Sequence, residues 1–141
     1  MSRKEKLKKG DKYQYTFSFT QDQVEEFSKV TGDTNPIHLD ENFAKNTIFK
    51  KRIIHGALST SVFSNILGTK FPGNGTIYLS QEVKYLIPMY ASEIYVCSVT
   101  IEEIKMEKKI LVLDTTIRNN VGDMTVSGKA VVKVPFLKNQ I

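Results

Sequence analysis

The stretch GALSTSVFSNIL, residues 56–67, has the residue pattern of one long buried helix. Its apolar residues recur at three- and four-residue spacings and so share one helical face: Leu58, Val62, Phe63, Ile66 and Leu67. The residues between them are mostly serine, threonine and asparagine, which let a helix pack closely against a sheet. Gly68 and Pro72 follow, and they are typical of a helix end. We therefore predict a helix over residues 56–67.

The chain after this helix reads as four strands. Four runs are rich in β-branched and aromatic residues: 77–87, 93–104, 110–118 and 124–134. Short connections separate these runs, and short connections favour antiparallel neighbours in a sheet. This half of the chain is therefore predicted to form an antiparallel meander.

The chain before the helix reads as one strand followed by short helices. Aromatic and polar residues alternate over residues 13–19, as on a half-buried strand. Thr20 and Gln23 form a capping-box pattern that opens a short amphipathic helix, which Gly32 stops. Residues 41–45 are consistent with one further helical turn. The whole order implies an α+β fold, in which an antiparallel sheet wraps around the single long helix.

The composition is that of one globular domain. The chain has 141 residues, of which 40% are hydrophobic and 25% are charged. Its one cysteine, Cys97, excludes an intrachain disulfide and offers no metal-ligand cluster, which makes the cytoplasm the simplest location. No apolar run is long enough for a membrane span, and the N-terminus is too charged for a signal peptide. We therefore predict no membrane association.

The net charge of +5 is concentrated in two places. Residues 1–12 carry six cationic side chains and are predicted to be a solvated tail before a domain at 13–141: Arg3, Lys4, Lys6, Lys8, Lys9 and Lys12. Lys50, Lys51 and Arg52 form the second cluster, which is a candidate for binding a phosphorylated ligand. A nucleic-acid partner is not predicted, since the sequence has no recognition-helix, zinc or RNA-binding motif.

The stretch from Gly32 to Asp40, GDTNPIHLD, has the features of an acid/base pair. Asp33 and His38 lie on either side of an Asn-Pro step, and proline restricts both its own backbone and that of the preceding residue. We predict a rigid, non-helical corner that directs a carboxylate and an imidazole at one point, as deprotonating a bound water requires. The alternative is an ordinary turn, since Asn, Asp and Pro are common in turns. A second histidine, His55, directly before the predicted helix favours a site.

These residues resemble the MaoC-like, (R)-specific enoyl-CoA hydratases of the hot-dog fold, and most of all the short single-domain type that feeds polyhydroxyalkanoate synthesis. The signature of that family is similar to Gly-Asp-x-Asn-Pro-hydrophobic-His-x-Asp, and residues 32–40 match every position. Further segments are also similar to the family: residues 54–56, 63–64, 67–68, 72–73, 75–79 and 128–133. The resemblance covers the chain from Tyr13 to Val134.

The resemblance implies an activity and a site. Asp33 and His38 would be the catalytic pair of a hydro-lyase, which adds water reversibly to a trans-2-enoyl thioester of coenzyme A. The product would be the (R)-3-hydroxyacyl thioester, a type of intermediate found in fatty acid metabolism. The protein would be a homodimer without a metal or other cofactor, because coenzyme A is part of the substrate.

The chemistry assigns roles within that site. We expect Asp33 to be the base and His38 to help hold the water, although a coupled pair shares its titration and either residue could take the proton. The N–H of Gly56, at the start of the long helix, is expected to stabilise the negative charge on the thioester oxygen. Asn35 is expected to hold the turn through side-chain bonds to the backbone.

Other residues have weaker assignments that leave alternatives open. His55 either orients the loop or is simply packed. The resemblance would place Ser64 near Asp33, whereas its spacing alone fits a small packing residue. Phe63, Ile66 and Leu67 are expected in the core, and are also the predicted acyl pocket. Lys50, Lys51 and Arg52 are the predicted sites for the phosphates of coenzyme A.

Two other functions are compatible with the same fold. A hot-dog thioesterase would use water against the thioester carbonyl, because one fold hosts several chemistries. A non-catalytic acyl-CoA-binding sensor is the second alternative. The intact Asp33–His38 corner favours the hydratase over both.

Overall fold

The computed structural model describes residues 6–138. Five strands are present, and their bounds are β1 (Lys12–Phe17), β2 (Ile77–Tyr85), β3 (Tyr95–Lys105), β4 (Ile110–Asn119) and β5 (Met124–Lys133). The helices are α1 (Gln21–Thr31), α2 (Pro36–Leu39), α3 (Glu41–Lys45) and α4 (Gly56–Asn65), and a π-helical turn (Ile66–Lys70) extends α4. None of the helices within residues 6–138 is both long and apolar enough to cross a membrane.

The five strands form one antiparallel sheet with the order β1-β3-β4-β5-β2. The predicted α+β class with a sheet around one helix is confirmed, and the architecture is the hot-dog fold. The predicted meander is correct for β3, β4 and β5 but wrong for β2. That strand pairs with β5 at the far edge of the sheet instead of pairing with β3.

The segment between β2 and β3 explains why these two strands are not neighbours. Residues 86–94 do not form a tight turn, because they cross the end of the sheet beside the start of α4. Met89 is buried within this segment, and its carbonyl accepts a hydrogen bond from the Ile54 N–H at 2.8 Å. The backbone N–H of Tyr90 donates to the Tyr95 hydroxyl at 2.7 Å. The connection is therefore a packed part of the domain.

The core lies between α4 and the concave face of the sheet. The apolar face of α4 supplies Leu58, Val62 and Phe63, and the π-helical turn supplies Ile66 and Leu67. The strands contribute alternate residues of β3, β4 and β5, which are buried on this face: Val99, Ile101, Leu111, Leu113, Ile117, Ala130 and Val132. The helix continues a little beyond its predicted end, because the Phe71 N–H bonds to the Ile66 carbonyl at 2.8 Å and closes the wider turn.

The N-terminal segment differs from the predicted solvated tail. Leu7 is buried in the core, and the Gly10 N–H donates to the carbonyl of Ile101 on β3 at 2.8 Å. The Ile101 N–H in turn donates to the Asp11 carbonyl at 2.9 Å. The chain from Leu7 onward therefore belongs to the folded domain, because its apolar and backbone groups have partners on the sheet. Arg3 and Lys4 lie outside the described residues.

Candidate active site

The end of α1 sets the position of Asp33. Gly32 has a φ of +80°, and its N–H caps the helix by donating to the Ser28 carbonyl at 2.9 Å. The Thr31 hydroxyl donates to the Phe27 carbonyl at 2.8 Å and accepts the Asp33 N–H at 3.1 Å. Glycine suits this left-handed cap because it has no Cβ. The chain therefore leaves α1 abruptly, with the Asp33 residue exposed.

The Asn-Pro step begins a short helix, which differs from the predicted non-helical corner. Asn35 caps α2, since its side-chain oxygen accepts the Ile37 N–H at 3.1 Å. The Asp33 carboxylate accepts the Asn35 N–H at 3.2 Å. Pro36 occupies the first helical position, where its missing N–H costs nothing and its fixed φ suits the helix. The proline is therefore a helix start here and not a helix breaker.

His38 is fixed in one tautomer. Its ring is buried, and its Nδ1 lies 2.8 Å from the Ile53 carbonyl oxygen. A carbonyl only accepts hydrogen bonds, so Nδ1 carries the proton of the neutral ring. The Nε2 lone pair is then the basic position of His38.

His55 lies directly beneath His38. The two rings stack with their centroids 3.8 Å apart and 27° between their planes. The His55 Nε2 lies 3.2 Å from the Asp33 carbonyl oxygen and 2.9 Å from the Ser28 hydroxyl. Since the Asp33 carbonyl can only accept, Nε2 carries the proton. His55 thus connects α1, the Asp33 loop and the start of α4.

The surroundings of His55 keep its ring neutral. Burial lowers the pKa of His55 below 6.5, and the neighbouring His38 ring adds to this lowering. The hydrogen bond to the Asp33 carbonyl and the Asp33 charge act in the opposite direction and are the smaller influence overall. The His55 Nδ1 is buried and has no hydrogen-bond partner among residues 6–138. An uncharged, unpaired lone pair is tolerated there far more easily than a charge.

Asp33, His38 and His55 bring possible ligand atoms to within 4.8 Å of one another. The cysteine count alone did not predict this cluster. The stacked rings nevertheless fit a metal poorly, because a metal lies in the plane of each imidazole at about 2 Å from its nitrogen. Planes inclined by only 27° at this ring separation do not meet at such a point. The cluster is better suited to holding water and moving a proton.

Gly56 is the first residue of α4, and no side chain in the described part of the chain caps this end of the helix. Its free N–H groups and the helix dipole favour negative charge at this point. A Cβ on Gly56 would lie 2.7 Å from the ring of Tyr85 at the end of β2. An alanine here would therefore have to displace the Tyr85 ring, a neighbour that the sequence pattern did not indicate.

An open, mainly apolar pocket of about 530 Å³ adjoins Gly56. Its lining combines the start of α4 with the two segments that flank it: Phe49, Ile53, Gly56, Ser59, Tyr85, Ile87, Met89 and Val126. Phe63, Ile66 and Leu67 are fully buried core residues and do not line it. Their expected place in the core is confirmed, and their contribution to an acyl pocket stays a prediction.

The remaining predicted site residues lie further away. Ser64 is exposed and lines a shallow groove beside β2 with Tyr78 and Gln81, and no hydrogen bond joins it to Asp33 within residues 6–138. Ser64 is therefore not the partner of Asp33 within one chain.

The basic cluster is divided among three different surroundings. Lys51 pairs with Glu93 at 3.4 Å and lies over the ring of Tyr90. Arg52 pairs with Glu41 at 3.2 Å. The Lys50 side chain makes neither an ion pair nor a hydrogen bond with residues 6–138. Binding of coenzyme A phosphates by this cluster stays a prediction.

Ser28 is the site residue that the sequence reasoning missed. It is buried, and it lies four residues after the buried Val24 on α1. A hydroxyl on the apolar face of an amphipathic helix needs a hydrogen-bond partner, and this rule could have indicated Ser28 from the sequence. The partner is His55, which lies 27 residues further along the chain.

The fold and the site define a hot-dog protein with an Asp/His corner beside a helix N-terminus. A family model described as the MaoC-like domain matches residues 3–121, and the chain belongs to this family. The (R)-specific enoyl-CoA hydratase of Aeromonas caviae is 36% identical over 129 residues, which are 92% of this chain and 96% of the relative. The enzyme of the same description from Rhodospirillum rubrum is 34% identical over 131 residues, covering 93% and 90%.

The solved structures agree with the sequence relatives. The (R)-hydratase of A. caviae involved in PHA biosynthesis superimposes with a TM-score of 0.89 at 36% identity. The superposition covers 92% of this chain and 98% of that one.

Proposed function

We infer that this protein is an (R)-specific enoyl-CoA hydratase, a hydro-lyase that adds water reversibly to trans-2-enoyl-CoA. The observation that carries the inference is the Asp33–His38 corner, which is intact within a chain that matches hydratases over almost its full length. The thioesterase and the sensor, which the fold alone would allow, have no comparable support.

The proposed catalytic water lies between the Asp33 carboxylate and Nε2 of His38. Asp33 takes a proton from the water, and the oxygen adds to the β-carbon of the enoyl group. The electron pair of the double bond moves towards the thioester oxygen. When the pair returns, the α-carbon takes the proton held by Asp33, and the carboxylate is restored. His38 is suited to orienting the water because the Ile53 carbonyl fixes its tautomer.

The start of α4 is the proposed oxyanion site. Negative charge appears on the thioester oxygen between addition of the hydroxyl and protonation of the α-carbon. The Gly56 N–H has no helical acceptor and is preorganised by the helix, so it can donate to that oxygen without reorganisation. The pocket beside Gly56 then offers an apolar surface to the substrate.

The supporting residues have proposed roles that follow from their contacts. His55 orients the loop by donating to the Asp33 carbonyl, and Asn35 caps the helix that carries His38. No cofactor is required, because water is the co-substrate and backbone donors meet the developing charge. The cytoplasmic location stays a prediction of the sequence.

We further propose that the protein acts as a homodimer through β2. Within residues 6–138 this strand pairs with β5 alone, which leaves its other edge open. Large apolar residues on and after it are exposed: Ile77, Leu79, Tyr85, Leu86 and Ile87. An open edge with apolar side chains favours pairing with a second copy.

The test of the function is a direct assay with crotonyl-CoA. A hydratase removes the ultraviolet absorbance of the conjugated double bond without releasing free thiol, whereas a thioesterase releases thiol. Chiral analysis should give the (R)-3-hydroxy product, and treatment with a chelator should leave the rate unchanged. Ligand binding without either reaction would indicate a sensor. An (S) product or loss of activity with the chelator would contradict the proposal.

A further inference from the structure

Helix α2, which carries His38, is too short for its own N–H groups to bond to its carbonyls. A four-residue helix ends with carbonyls that have no partner inside it. In α2 the Pro36 carbonyl accepts the Asp40 N–H at 2.9 Å, which is the one bond that the local chain supplies to these carbonyls. The remaining acceptors must be satisfied by other elements if His38 is to be held in place.

Ile53 contributes on one side of α2. Its N–H donates to the Ile37 carbonyl at 3.2 Å, and its carbonyl accepts Nδ1–H of His38 at 2.8 Å. Both the N–H and the carbonyl of Ile53 therefore form hydrogen bonds with α2. The His38 ring keeps its tautomer only while α2 stays aligned with Ile53.

Two side chains complete the attachment of α2. The Gln21 amide, at the start of α1, donates to the His38 carbonyl at 2.9 Å. The Arg52 guanidinium donates to the Leu39 carbonyl at 3.4 Å and pairs with Glu41 of α3 at 3.2 Å. Both side chains are partly buried, and Arg52 directly precedes Ile53. Each of the four carbonyls of α2 thus accepts a hydrogen bond.

We propose that Gln21 and Arg52 are positioning residues for His38. They hold the C-terminal end of α2 so that His38 Nδ1–H stays on the Ile53 carbonyl and Nε2 faces the reacting water. The proposal rests on the proposed function of His38. It gives Arg52 a different role from the phosphate binding predicted from the sequence, because its guanidinium is already engaged by a carbonyl and a carboxylate.

The experiment compares four variants with the wild type. Gln21→Met and Arg52→Met remove the donors while keeping similar side-chain length. Arg52→Lys restores one donor, and Lys29→Met is the matched control, since Lys29 is an exposed cation on α1 that has no hydrogen bond or ion pair with α2 among residues 6–138. Turnover and KM are measured with crotonyl-CoA and with crotonyl-pantetheine, which lacks the nucleotide phosphates. Nitrogen-15 spectra of the histidine ring record the tautomer of His38.

We expect both methionine variants to lower kcat by about tenfold on both substrates with little change in KM, since misalignment affects the transition state more than binding. The ring spectrum should change from the single Nδ1-protonated form to a mixture. Arg52→Lys should recover most of the loss, and Lys29→Met should keep the wild-type kcat and spectrum. If a methionine variant fails to fold, Gln21→Asn, which retains the amide but is one methylene shorter, should show the same change.

Two results would overturn the proposal. A rise in KM for crotonyl-CoA alone, without a change in kcat or in the ring spectrum, would make Arg52 a phosphate ligand. Unchanged kinetics and spectra in both methionine variants would make the two hydrogen bonds merely structural. An inactive wild type would contradict the proposed function, while the ring spectra would still decide whether these residues position His38.

Discussion

At the scale of single residues, Asp33 and His38 are expected to carry the reaction. Asp33→Asn is nearly isosteric but cannot accept a proton, so we expect a loss of about 10²–10⁴-fold in kcat with an intact fold. His38→Gln should lose a similar amount. If the two act as one unit, the double variant should be no slower than the slower single variant. Wild-type rates in folded Asp33→Asn protein would refute the assignment.

His55 should make the stability of the protein depend on pH. Its pKa is lowered by burial in the folded state, so below about pH 6.5 the unfolded chain binds a proton that the folded chain resists. The free energy of unfolding should therefore fall as the pH falls from 6.5 towards the folded pKa, and it should be unaffected by this group above 7.5. Denaturant titrations at several pH values measure this slope. His55→Gln, which retains a donor for the Asp33 carbonyl, should flatten it, and an equal slope in both proteins would exclude His55 as the cause.

Gly56 and Tyr85 should behave as a coupled pair. Gly56→Ala keeps the backbone donor but places a Cβ 2.7 Å from the Tyr85 ring, which must move to make room. We expect lower turnover with a smaller effect on KM. Gly56→Ala in a Tyr85→Ala background should lower turnover less, and the difference between the two losses measures the coupling. Gly68→Ala, which meets no atom within 4 Å, is the control.

At the scale of elements, the long periodic patterns were the reliable part of the sequence. The 56–67 helix and the four later strands were predicted near their observed bounds, because each buries a face with a clear period. Helix α2 was missed because proline is compatible with both a turn and a helix start. The pairing of β2 was missed because connection length does not reveal that the connection crosses the sheet end. His55 and Ser28 meet only through the fold, and no spacing in the sequence predicts that contact.

Because β2 and β5 pack closely at Gly128, a side chain at this position should destabilise the protein. An added Cβ would lie 1.9 Å from the Glu82 carbonyl oxygen of β2, and a backbone oxygen cannot rotate aside as a side chain can. We expect Gly128→Ala to lower the free energy of unfolding by about 1–3 kcal/mol, as overpacking does, and to loosen β2. Chemical denaturation measures the loss, and amide exchange locates it. Gly68→Ala, at a helical position with no atom within 4 Å of the added Cβ, should not lower the free energy of unfolding, and equal stability of the two variants would contradict the expected clash.

At the scale of the whole molecule, β2 is the predicted contact between two copies. Leu79→Lys places a charge among its exposed apolar residues, and an edge charge opposes strand pairing. We expect the mass from light scattering to fall from that of a dimer to that of a monomer. Val121→Lys makes the same change at the exposed turn between β4 and β5 and should leave the mass unaltered. A dimer that survives Leu79→Lys would place the contact elsewhere.

The sheet order also governs when the molecule can acquire its final shape during synthesis. A ribosome delivers β1 to β5 in sequence, yet β5 lies between β4 and β2 in the finished sheet. Asp33, His38, His55 and all of α4 emerge before the three strands that cover the apolar face of α4. A nascent chain therefore carries these three residues and an uncovered α4 until β5 has left the ribosome. The sheet, and with it the cover over α4, can therefore close only after β5 has been synthesised.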